Sequence, residues 1–107
     1  MTGRAALLTG SHAYGTPHAG SDVDLVVFLP QAEASILERL GRRRELLNDE
    51  HYRGITSVHF GDLNLILVTD QEEFDTWSKV TRDLVARKPV TRAEAVKAFD
   101  ALREERA

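Results

Sequence analysis

Two stretches of this chain, residues 22–29 (DVDLVVFL) and 62–69 (DLNLILVT), narrow its fold more than any other feature. Successive residues of a strand point to opposite sides of a sheet. In the first stretch one side carries Val23, Leu25, Val27 and Leu29, and the other carries Asp22, Asp24, Val26 and Phe28. In the second, Leu63, Leu65 and Leu67 face one way, and Asp62, Asn64, Ile66 and Val68 face the other. Each strand has one wholly apolar side, and an opposite side that begins with two polar residues and continues with two apolar ones. If the two run parallel as neighbours, their polar starts lie side by side. The intervening residues 30–61 are long enough, and contain a helical stretch, as a parallel connection requires.

The remaining elements fit around this pair. Residues 5–9 (AALLT) read as a short buried strand ended by Gly10-Ser11, and 11–21 as a loop with room for one helical turn. Pro30 stops the strand at 22–29. Residues 31–48 suit an amphipathic helix with Ile36, Leu37, Leu40 and Leu47 on one side, at some cost from Gly41. Residues 55–60 are extended, and Gly61 marks a bulge or turn before the strand at 62–69. Asp70 with Glu73, and Thr91 with Glu94, are capping-box pairs that open two helices. Their apolar stripes are Phe74, Trp77, Leu84 and Val85, then Ala95, Phe99 and Leu102, and Pro89 separates them. The order β, short helix, β, α, β, α, α belongs to α/β or α+β folds, with helices packed on one small sheet. Residues 1–107 are read as a single domain with a limited core.

Three carboxylates, Asp22, Asp24 and Asp62, would meet at one edge of such a sheet. Like charges so close resist ionisation unless something positive sits between them. A divalent cation is the natural answer, and Mg²⁺ takes hard oxygen ligands, commonly carboxylates plus substrate phosphates. A bare Asp-x-Asp is common at a strand start. The pair joined by Asp62 in the same polar-polar-apolar-apolar register is much harder to reach by accident. The chain has no cysteine, so thiolate metal sites and disulfides are excluded. Its net charge of −3 does not suggest tight unspecific binding to DNA or RNA. The apolar run Ala5–Leu8 is too short for a signal peptide or membrane helix, and a cytoplasmic protein is expected.

Gly10-Ser11 follows a strand and opens a loop. Glycine lets the backbone approach a phosphate closely, while amides and the hydroxyl donate to its oxygens. Alone, the dipeptide is a turn signal. A β–turn–β path from it returns the chain beside Asp22, however, and phosphate donors next to carboxylates imply a nucleoside triphosphate with its metal. The chemistry this supports is in-line attack on a phosphoryl group.

The segment Gly10-Ser11, ten residues, then Asp22-Val23-Asp24 resembles the GS-x10-DxD signature of minimal nucleotidyltransferases of the DNA polymerase beta superfamily. The whole run GSHAYGTPHAGSDVDLVVF is similar to that family. The later HFGDLNLILV resembles the strand that carries the third carboxylate, which places that role on Asp62. The resemblance implies a polymerase-beta palm-like fold. It also implies two Mg²⁺ ions (or Mn²⁺) held by Asp22, Asp24 and Asp62, which are the catalytic set. The reaction implied is transfer of a nucleoside monophosphate from an NTP, ATP favoured, to an acceptor hydroxyl, with release of pyrophosphate. Relatives that act on antibiotics or nucleic-acid ends usually carry further domains for the acceptor, whereas only two helices follow Asp62. Free-standing members of this size often pair with a toxin protein and some adenylylate it. By analogy, the acceptor is a partner protein, an RNA or DNA end, or a small molecule.

Gly10, Ser11, Tyr14 and Asn64 are the expected nucleotide contacts. Asn64, on the side of Asp62, would orient it or the nucleotide. His12 and Tyr14 suit loop packing equally well, and His18 suits solvent. His51 and His59 lack a ligand partner at metal spacing. Arg42-Arg43-Arg44 could meet an RNA acceptor but is usually a solvated helix face. Trp77 could stack a base, though its spacing from Phe74 is that of a core residue. The competing reading is a catalytically silent nucleotide-binding or antitoxin-like interaction module. An exposed sheet edge leaves a homo-oligomer open.

Overall fold

The computed structural model describes residues 4–45 and 56–106. Its elements are β1 (Ala5–Thr9), α1 (Ser11–Tyr14), β2 (Val23–Phe28), α2 (Gln31–Leu40), β3 (Arg42–Glu45), β4 (Thr56–Phe60), β5 (Leu63–Val68), α3 (Gln71–Ala86) and α4 (Arg92–Arg106). The five strands form one mixed sheet in the order β1-β2-β5-β4-β3. β2 and β5 are parallel neighbours in the register Val23↔Leu63, Asp24↔Asn64 and onward to Phe28↔Val68. β1 pairs antiparallel with β2, β4 with β5, and β3 with β4. The mixed α/β fold, a small sheet carrying helices, is the one expected.

The two-sided patterning of β2 and β5 divides the core. On one side Val26, Ile66 and Val68 pack with Tyr14 of α1, Trp77, Val80 and Leu84 of α3, and Ala95 and Phe99 of α4. Trp77 and Phe99 are in ring contact at 4.6 Å, within the range where aromatic pairs attract. On the other side Leu29, Val58 and Leu67 pack with Ala34 of α2, flanked by Val27, Leu37 and Leu65.

Both helices after β5 start as capping chemistry dictates. The Asp70 carboxylate accepts from the Glu73 amide at 3.0 Å. At α4 the box is reciprocal: the Glu94 amide donates to the Thr91 hydroxyl, and the Thr91 amide to the Glu94 carboxylate. The Glu73 side chain is drawn elsewhere, accepting from the Trp77 indole and pairing with Arg103, which ties α3 to α4.

The long helix expected over 31–48 ends at Leu40. Gly41 is extended, and a Cβ there would sit 2.1 Å from Val58 Cγ1. The chain must pass hard against β4 at that point, which only glycine permits. The arginine run then continues as the edge strand β3 rather than as a helix face, with Arg42 level with His59. Charged residues suit an edge because they discourage further strand addition. Leu37 packs, whereas Ile36 and Leu40 are 49% and 70% exposed. Leu47 and His51 lie outside the described residues. Gly61, at φ +62°, turns β4 into β5 as an antiparallel hairpin, so Asp62 stands on the turn and the strand begins at Leu63.

Leu84 is fully buried and Leu40 largely exposed. In urea unfolding followed by circular dichroism, Leu84→Ala is therefore expected to cost about 2–5 kcal/mol. Leu40→Ala should stay within about 0.5 kcal/mol.

Candidate active site

Strand pairing builds the site one level at a time. The antiparallel register sets Thr9, the last residue of β1, opposite Asp24, and the parallel register sets Asn64 on the other side of Asp24. β4 then places His59 beside Asn64. A row of polar residues thus crosses the sheet, with Thr9 anchored to α3 by a 2.9 Å hydroxyl contact to Thr81.

Gly10 follows Thr9 with φ +72° and ψ −161°, a region that only glycine enters without strain. A Cβ at Gly10 would lie 2.3 Å from Asp24 Oδ2. Its bare backbone is what lets the loop close onto the carboxylate. The Gly10 carbonyl accepts from the Ala13 and Tyr14 amides and begins α1. The Tyr14 carbonyl in turn accepts from the Val90 amide at 2.7 Å, which brings the α3–α4 connection over the same loop. The result is a cavity of about 730 Å³, within the range of small-molecule sites. Gly10, Ser11, Tyr14, Asp22, Asp24 and Asn64 all line it, as do Trp77 and Arg92. A second groove, between β1, β2 and α2, is lined chiefly by aliphatic residues. The Arg4–Glu33 ion pair stands at its rim, and no paired carboxylates enter it.

Asn64 is buried and bonded at both ends of its amide. Its Nδ2 donates to Asp24 Oδ1 at 2.9 Å, and its Oδ1 accepts from the Ser57 hydroxyl. The residue it orients is therefore Asp24. Burial pushes the Asp24 carboxyl above its ordinary range. The Asn64 hydrogen bond acts against this, the Asp22 charge adds to it, and the fields of His59 and His12 oppose it. Burial likewise raises the Tyr14 hydroxyl, against a hydrogen bond to Thr9.

The expected residues divide as follows. Gly10, Ser11, Asp22, Asp24, Asn64 and Tyr14 share one cavity, although the Tyr14 ring also belongs to the core. Asp62 precedes β5 on an exposed turn, and its carbonyl accepts from the Val23 amide at 2.8 Å, so it stands level with the start of β2. Among the described residues, no three Asp, Glu or His side chains converge as a ready-made ion site. Trp77 is core, and His18 is exposed. Sequence reasoning missed three contributors. Ser57 and His59 come from β4; the turn at Gly61 signalled that strand but not the register that sets them beside Asn64, and His59, weighed only as a metal ligand, has its Nε2 buried without a hydrogen-bond partner. Arg92 comes from a helix start distant in sequence.

The pair Asp22 and Asp24 fits a divalent cation. Two adjacent carboxylates, one of them driven towards neutrality by burial and by the other, lower each other's cost when a cation shares them. Mg²⁺ commonly takes one or two carboxylates and completes its shell with water and substrate phosphates. Among the described residues, no helix is long and apolar enough to cross a membrane.

A family model described as a nucleotidyltransferase domain matches residues 3–103 of the chain. No curated protein and no solved structure matches it significantly.

Two predictions follow from this geometry. Gly10→Ala should destabilise the fold by about 2 kcal/mol or more in urea unfolding. Part of that loss should be recovered in the Gly10→Ala/Asp24→Ala double variant, where the clashing oxygen is gone. The raised Asp24 carboxyl means that the folded state holds its proton more tightly than the unfolded chain. Stability therefore falls as pH rises from the ordinary carboxylate range through the higher folded value. In metal-free buffer, Asp24→Asn should melt above the wild type at pH 7. The gap should close as pH drops to the ordinary Asp range.

Proposed function

This chain belongs to the nucleotidyltransferase domain family, and we propose that it transfers a nucleoside monophosphate from an NTP to an acceptor hydroxyl, using a divalent cation. The observation that carries the reading is the closure of Gly10-Ser11 onto Asp24 inside the same cavity that Asp22 and Asn64 line. Pressing a phosphate-binding turn against a partly desolvated carboxylate is costly, and a bound cation with its phosphates would offset that cost.

In this reading the Gly10-Ser11 backbone and the Ser11 hydroxyl receive the triphosphate, and Arg92, which lines the same cavity, adds a positive charge. Asp22 and Asp24 would hold Mg²⁺ or Mn²⁺, which when bound neutralises charge on the phosphates and the departing pyrophosphate. Asp62 is assigned here to the proton rather than to the ion, because it stands exposed on the turn, level with Asp22. The acceptor oxygen attacks the α-phosphorus. A new P–O bond forms as the bond to pyrophosphate breaks, and the hydroxyl proton passes to Asp62. ATP is the favoured donor on the family resemblance. The acceptor would be a partner protein or a nucleic-acid end, held outside the small domain.

A second reading, nucleotide binding without transfer, draws support from the lack of a three-carboxylate cluster among the described residues. Incubation with α-³²P-labelled ATP, GTP, CTP or UTP, Mg²⁺ and lysate separates the two. Label should reach an acceptor with the wild type, and fall at least 100-fold with Asp22→Ala/Asp24→Ala. Label that survives the double variant contradicts the site. Tight nucleotide binding with no label on any acceptor supports the silent module.

A further inference from the structure

The structure assigns Asn64 the task of limiting this site to one divalent cation. This rests on the metal-dependent reading above and deepens it. Asn64 is the residue level with Asp24 on the parallel neighbour, on the same side of the sheet, and only 8% exposed. A carboxylate at this position would complete a cluster of three with Asp22 and Asp24, enough to hold two ions a few ångströms apart. An amide stands there instead.

Its orientation decides the matter. The atom turned to Asp24 is Nδ2, an N–H donor, which cannot ligate a cation. The oxygen that could ligate is directed to Ser57 and accepts its hydroxyl hydrogen. Flipping the amide would set a carbonyl oxygen against the Asp24 carboxylate and an N–H₂ against the Ser57 hydroxyl. That exchanges a charge-assisted hydrogen bond for a repulsion. Because the carboxylate is an acceptor only, the Ser57–Asn64–Asp24 chain reads in one direction. Asn64 therefore uses Asp24 Oδ1 itself and presents no ligand of its own. Asp62, two residues earlier, is on the turn and does not take its place. Two carboxylates remain, which suit one divalent ion together with phosphate oxygens. Asn64 thus acts through Asp24 as a positioning residue.

The test counts ions rather than turnover. The full chain is titrated with Mn²⁺ in the presence of the non-hydrolysable donor α,β-methylene-ATP, and free Mn²⁺ is read from its six-line electron paramagnetic resonance signal. The wild type should bind one Mn²⁺ per chain, and Asn64→Asp two. Asn64→Ala should still bind one, about tenfold more weakly, as expected when a hydrogen bond that orients a ligand is lost. Two ions, or none, on the wild type would overturn the inference, as would an Asn64→Asp protein that is folded by circular dichroism and binds one ion. Failure to label any acceptor while the wild type still binds one ion would count against nucleotidyl transfer alone.

Discussion

Everything in the site depends on the parallel pairing of β2 with β5. That register sets Asp24 beside Asn64 and brings Asp62, just before β5, level with the start of β2. A one-residue slip would send the aspartates to the α2 side and the aliphatic Val23, Leu25 and Val27 towards α3, so the apolar patterning that builds the core also aims the carboxylates. The crossover through α2 makes the parallel alignment reachable, and β1, returning antiparallel, delivers Gly10 to the opposite flank of Asp24.

The energetic character of the site follows from where the row of polar residues falls. Above it the same sheet face is sealed by Trp77, Leu84 and Phe99. At its own level a cavity opens, lined by residues of α1, α3 and α4 as well as by the strands. Asp24 is therefore half-buried next to Asp22, and its ionised form is supported mainly by one amide hydrogen bond and the fields of two histidines. A protein that needed only stability would not place a carboxylate there. A turn that only glycine can make and the desolvation of Asp24 fall at one point, a pattern usual for sites that bind something charged.

Much of this was legible in the sequence. The alternation in 22–29 and 62–69 named both strands, and the helix-bearing connection between them allowed the parallel pairing that the structure shows. The capping pairs at Asp70 and Thr91 named the starts of α3 and α4, because those signals are local. The end of α2 was not legible. Gly41 reads as a mild helix penalty in one dimension and becomes a stop only when Val58 arrives against it from β4. The arginine run changed from helix face to edge strand for the same reason. Within the site, Gly10, Asp22 and Asp24 could be placed together from spacing, since a short connection through α1 joins their strands. The role of Asn64 could not. Its partner is fixed by Ser57 on a third strand, and which end of an amide points inward is a tertiary fact.

The central claim is that a cation sits on Asp22 and Asp24 with a triphosphate drawn against Gly10-Ser11. Anomalous diffraction at the manganese edge, from crystals grown with Mn²⁺ and a triphosphate analogue, tests it most directly. The expected result is an anomalous peak at the Asp22 and Asp24 carboxylates, with phosphate density reaching Gly10 and Ser11. Manganese bound elsewhere, or phosphates seated away from that turn, would contradict it.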